Sequence, residues 1–110
     1  MEYQKKLLDP KWQQTRLKIF ERDGWKCRIC EKTDETLHAH HTYYTKFAEG
    51  PWDYDLVSII TLCDKCHADE HECIDAAKAA LFNALAKRGY STTNDILCLS
   101  HEIAGETNVY

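Results

Sequence analysis

Apolar residues recur at helical spacing behind Asp9-Pro10, where Trp12, Thr15 or Arg16, Ile19 and Phe20 fall on one face. Asp9 reads as an N-cap, Pro10 as the first helical position and Gly24 as the C′ stop. A turn over Thr33–Thr36 follows, and Leu37 to Tyr43 reads as a short strand. Gly50-Pro51 breaks the loop from Lys46 to Asp55. The β-branched run Leu56 to Leu62 predicts a second strand. A long helix is expected over 64–88, with Ile74, Ala77, Leu81 and Leu85 on its apolar face and Gly89 as its stop. That stripe reads as core or partner-facing surface. Ser91-Thr92-Thr93 caps a last helix through Ile103, ended by Gly105, and Glu106 to Tyr110 is expected to fray. The order implies an α+β chain.

Length and charge narrow the picture. The chain has 110 residues, enough for a single domain over 1–110. No stretch is apolar and long enough for a membrane span, and MEYQKKLLDP lacks the apolar stretch of an export signal. The expected location is therefore the cytoplasm. Net charge is −4, but residues 1–32 carry +4 and residues 33–110 carry −8. That balance excludes a protein that coats nucleic acid non-specifically, while leaving a basic N-terminal third able to meet phosphates. Its candidates are Arg16, Lys18, Arg22, Lys26 and Arg28.

Six cysteines add a staple. Cys27-Arg28-Ile29-Cys30 and Cys63-Asp64-Lys65-Cys66 are two Cys-x-x-Cys knuckles with 32 residues between them. A reducing compartment disfavours disulfides, and paired knuckles close a tetrahedral four-sulfur zinc site. Cys73 and Cys98 lie outside the pattern and read as small buried apolar residues, not ligands.

The histidines carry the chemistry. His40-His41 ends the first strand, and His67 and His71 stand at i, i+4 in the first turns of the long helix. Neighbouring strand residues face opposite ways, so His40 and His41 can divide two tasks. Cys66 lies about 100° around the helix from His67, so one can face the zinc and the other elsewhere. A second, nitrogen-rich cation site beside the closed sulfur site is the expectation, and an open nitrogen site is the catalytic pattern. His38 reads as packing or support for that site, and His101 as unrelated surface.

Together, DPKWQQTRLKIFERDG, WKCRIC, LHAHHTYY and LCDKCHADEH resemble the HNH endonucleases of the ββα-metal fold, over roughly residues 8–72. The likeness is to their zinc-stapled bacterial and phage branch. It implies a small ββα-metal unit over 8–72 with an N-terminal helix, a four-Cys zinc site and C-terminal helices over 73–105. It implies structural Zn²⁺ on Cys27, Cys30, Cys63 and Cys66, and a catalytic Mg²⁺, Mn²⁺, Ni²⁺ or Zn²⁺ on His40, His67 and His71. His41 matches the general base. The family's strand asparagine is replaced by Ser58, whose hydroxyl is expected to help orient the base.

The resemblance thus implies a metal-dependent DNA endonuclease or nickase acting on double-stranded DNA, leaving a 5′-phosphate and a 3′-hydroxyl. Tyr43 and Lys46 after the base, with Arg16, Arg22, Lys26 and Arg28, are expected at the DNA backbone. The alternative is an HNH-like zinc module that binds DNA or a protein partner with a weak site; Ser58 and the acidic balance favour it. The C-terminal helices offer a surface for a homodimer or a larger partner. A zinc base deaminase is excluded by motif order, and a two-Cys, two-His finger by the missing short Cys-to-His interval.

Overall fold

The computed structural model describes residues 3–105. Glu106 to Tyr110, expected to fray, lie outside them. Four helices and two strands follow in the order α1 (Tyr3–Lys6), α2 (Pro10–Arg22), β1 (Leu37–His41), β2 (Ile59–Cys63), α3 (Asp64–Lys87) and α4 (Thr93–Ala104). The fold is mixed α+β around one antiparallel hairpin. By contact density the chain divides into two compact units, 1–71 and 72–110. None of the described helices is long and apolar enough to cross a membrane.

In the first unit, Asp9 caps α2 by accepting from the Lys11 amide at 2.8 Å. The far end closes as a Schellman motif: the Trp25 amide reaches the Phe20 carbonyl at 2.8 Å and the Gly24 amide the Glu21 carbonyl at 3.2 Å. Gly24 takes φ +73°, a conformation that favours glycine, and the Phe20 and Trp25 rings pack 5.6 Å apart across the turn. Trp12, Ile19 and Phe20 are the buried residues of α2, as the helical spacing requires.

β1 and β2 pair in the register Leu37↔Cys63, Ala39↔Thr61 and His41↔Ile59. One buried cluster joins Trp12, Ile19 and Ile59, with Leu7, Ala39, Trp52 and Tyr54 against it. The other is Cys27, Leu62, Cys63 and Cys66, so the knuckle sulfurs themselves form part of the core. Arg22 and Asp23 tie α2 to the second strand. The guanidinium donates to the Leu56 and Ile59 carbonyls at 2.7 Å each, and the Asp23 carboxylate accepts the Thr61 amide at 3.0 Å.

Both strands are shorter than the sequence predicts. β1 ends at His41; the Thr42 amide makes one further bond to the Ser58 carbonyl before the chain leaves for the loop. Leu56–Ser58 is a 3₁₀ turn, not strand, because the Asp55 carboxylate accepts the Val57 amide at 3.1 Å and bends the backbone. Val57 is accordingly 76% exposed. Ser58 therefore precedes β2.

In the second unit, Gly89 stops α3 and a capping box between Thr92 and Asp95 starts α4. No described residue from 72 to 105 is buried, so Cys73, expected in a core, is exposed and Cys98 only half-buried. Of the predicted stripe, Ile74 and Leu85 are half-buried and Ala77 and Leu81 exposed, so it forms no closed core among these residues.

Candidate metal and active centre

The two knuckles converge. The sulfurs of Cys27, Cys30, Cys63 and Cys66 all lie within 4.8 Å of one another, a cluster close enough to bind a metal such as zinc. The Cys30 and Cys63 sulfurs are 3.6 Å apart, against about 3.8 Å for two vertices of a zinc tetrahedron with 2.3 Å bonds. Burial raises the Cys27 thiol, but backbone hydrogen bonds at Cys30, Cys63 and Ile29 outweigh it and bring it to about 6. Burial, and then the neighbouring thiols of Cys63, Cys27 and Cys30, push Cys66 up to about 12. Four thiols this close cannot all ionise without a cation to offset their mutual repulsion.

The second cluster lies where the hairpin meets the start of α3. One ring nitrogen each from His40, His67 and His71 falls within 4.8 Å of the others. His67 Nε2 and His71 Nε2 are 3.1 Å apart. The i, i+4 spacing stacks these two on one helix face, and strand alternation turns His40 toward them. His40 is 6% exposed, and its Nδ1 is buried with no hydrogen-bond partner among the described residues. A buried polar atom without a partner costs about 1–3 kcal/mol, so His40 is held here at some expense to stability. Two nitrogens sharing one divalent ion at 2.0–2.1 Å stand about 3–3.4 Å apart, which the observed pair fits. Burial, then the His38, His71 and His40 rings, lower His67 to about 4. Burial, then His71 and His41, also lower His40. Burial thus biases His40 and His67 toward the neutral form, with lone pairs to offer.

His38 supports the cluster. Its ring stacks on His67 at 4.6 Å and 11°, and its Nε2 meets the Asp64 carboxylate. Its position two residues before His40 is the sequence signal for that face; the Asp64 partner has no such signal.

His41 points the other way from His40, as alternation requires. It is 4% exposed and boxed by Trp12 at 5.1 Å, Tyr44 at 4.9 Å and Tyr54 at 4.8 Å. Its Nε2 lies 2.7 Å from the Pro51 carbonyl. A carbonyl only accepts, so Nε2 carries the proton and Nδ1 keeps the lone pair. Burial lowers the His41 pKa against the opposing pull of that carbonyl. A cleft of about 250 Å³ is lined by His41 together with His38, His67, His71, Tyr44 and Arg16.

The remaining expected residues divide. Arg16 lines that cleft, and Lys46 lines a neighbouring one. Tyr43 is 45% exposed and packs edge-on against Tyr54 at 5.4 Å. Arg22 commits its donors to Asp23, Leu56 and Ile59, so it is a clamp within the chain. Lys26 pairs with Glu31 at 3.4 Å beside the first knuckle, and Arg28 is exposed on that knuckle; neither lines the cleft. The Ser58 hydroxyl donates to the Asp55 carbonyl at 2.7 Å, and the group that holds the His41 ring is the Pro51 carbonyl. Sequence reasoning missed that carbonyl and the aromatic box, because both depend on how the 42–55 loop folds back. Set beside known proteins, the chain matches no described family, no curated protein and no solved structure.

Proposed function

We propose that the chain is a metal-dependent DNA endonuclease or nickase of HNH type. In this reading zinc sits structurally on Cys27, Cys30, Cys63 and Cys66, and a divalent ion (Mg²⁺, Mn²⁺, Ni²⁺ or Zn²⁺) on His40, His67 and His71. The observation that carries it is the convergence of the His40, His67 and His71 ring nitrogens, with His67 and His71 lining the cleft that His41 also lines.

When bound, the ion supplies positive charge to the phosphate and to the departing oxygen. The rest falls to the chain. His41 accepts a proton at Nδ1 from the attacking water, which general-base catalysis rewards by about 10²–10⁴-fold. The Pro51 carbonyl holds the tautomer that leaves Nδ1 free to accept. The water oxygen bonds to phosphorus, the P–O3′ bond breaks, and the 3′ oxygen is protonated from solvent. Arg16 places a fixed cation beside the phosphate. Among the described residues, the charged side chains lining the two clefts, apart from the histidines, are Arg16, Lys6 and Lys46. An anion therefore meets a locally basic face despite the net −4 of the chain.

Ser58 favours a second reading, a zinc module that binds without cutting, since its hydroxyl is occupied by the Asp55 carbonyl. Supercoiled plasmid separates the two. With Mg²⁺, Mn²⁺ or Ni²⁺ added, the wild type should nick it and His67→Ala should be slower by at least tenfold. Equal nicking by both, or none with any metal, removes the enzymatic reading.

A further inference from the structure

A second cleft, of about 400 Å³, opens beside the imidazole cluster. Its lining includes Lys6, Lys46, Tyr44, Tyr54, Thr45 and Gly50. Tyr44 lines both clefts and packs on the His41 ring, so the two share one aromatic wall. Tyr44 is 57% exposed, and Tyr54 is braced through its hydroxyl, which accepts the Thr45 amide at 3.1 Å. Close packing shapes the floor: a Cβ on Gly50 would fall 2.5 Å from the Trp52 ring. Lys6 reaches across to the Glu49 carbonyl, joining α1 to the loop at the rim. Among the described residues, no acidic side chain lines the cleft.

Cations at the rim and an aromatic face on the wall are the two elements by which proteins hold an unpaired nucleic-acid strand. The volume falls within the usual range for small-ligand clefts. In a continuous duplex both faces of each base are covered by neighbours, so only an unpaired base can lie on Tyr44. Resting on the nuclease reading, we infer that this cleft takes a base and adjoining phosphate of an unpaired DNA strand, next to the phosphate at the imidazoles. The preferred substrate is then DNA with a single-stranded segment at the cut, such as a flap, overhang or junction, rather than uninterrupted duplex.

Fluorescence anisotropy tests this with the full zinc-loaded chain and no second metal, so that nothing is cut. The probes are a labelled oligothymidylate and a hairpin duplex of equal length. The single strand should bind more tightly, and Tyr44→Leu should weaken it roughly tenfold, several-fold more than it weakens duplex binding. Lys46→Gln should flatten the salt dependence for the single strand by about 0.7 in log–log slope. Equal affinity of the wild type for both probes overturns the inference, as does wild-type single-strand binding by Tyr44→Leu. Should Tyr44→Leu fail to fold, Lys46→Gln decides, and an unchanged slope overturns it. Plasmid nicking without a single-strand preference removes this inference alone; a single-strand preference without nicking under any metal removes the nuclease reading alone.

Discussion

At the scale of single residues, His41 has two duties that can be pulled apart. Its ring fills the space between Trp12, Tyr44 and Tyr54, and its N–H satisfies the Pro51 carbonyl. Truncation to alanine opens a cavity and strands that carbonyl, at a cost of about 2–4 kcal/mol. His41→Gln keeps a donor and part of the volume, so it should cost less than half as much in urea unfolding while abolishing nicking as fully. The pH profile belongs to the same residue. Burial places the His41 pKa below the ordinary imidazole value near 6.5. The base form therefore persists to lower pH than in free histidine. The acid limb of kcat/KM should fall below pH 6.5, and a limb centred above it would contradict this role. Asp23 is the structural counterpart: burial raises its carboxyl, but Arg22 and the Thr61 donors outweigh that and hold it below the usual carboxylate range. Asp23→Asn should lose about 1–3 kcal/mol at pH 7 by weakening the joint between α2 and β2.

At the scale of elements, the pieces that could be read from sequence were those set by local rules. Asp9, Gly24, Thr92 and Gly105 cap helices through bonds to neighbours in the chain, and each stands at or one residue from its predicted boundary. The alternation of His40 and His41, and the turn of helix between Cys66 and His67, likewise follow from backbone periodicity. What stayed hidden depends on contacts distant in sequence. The Pro51 carbonyl meets His41 ten residues away, and the Asp55 side chain converts a strand-like run into a 3₁₀ turn. Arg22 looked like a free helix cation because its acceptors lie on a segment more than thirty residues further along. The knuckles are elements too. With their sulfurs making up much of one buried cluster, Cys63→Ser should lose zinc and several kcal/mol, enough to unfold the chain at 37 °C. Elemental analysis and a circular dichroism melt check it; a stable, zinc-free Cys63→Ser protein would refute the staple.

At the scale of the whole molecule, charge and surface are unevenly distributed. The imidazole cluster, His41 and both clefts lie within residues 1–71. The unit over 72–110 leaves Leu81, Phe82, Leu97 and Ile103 half or more exposed. Net charge is negative, yet the cleft carries Arg16 with no carboxylate among the described residues of its lining. Arg16→Gln should therefore weaken DNA binding several-fold and lower the slope of log affinity against log salt by about one, with stability nearly unchanged. The central claim is that three imidazoles next to His41 form a cation site distinct from the four sulfurs. Calorimetric titration of Ni²⁺ into zinc-loaded protein tests it most directly. One nickel per chain should bind in the wild type and the site should vanish in His67→Ala; absence of binding, or equal binding by that variant, would contradict it.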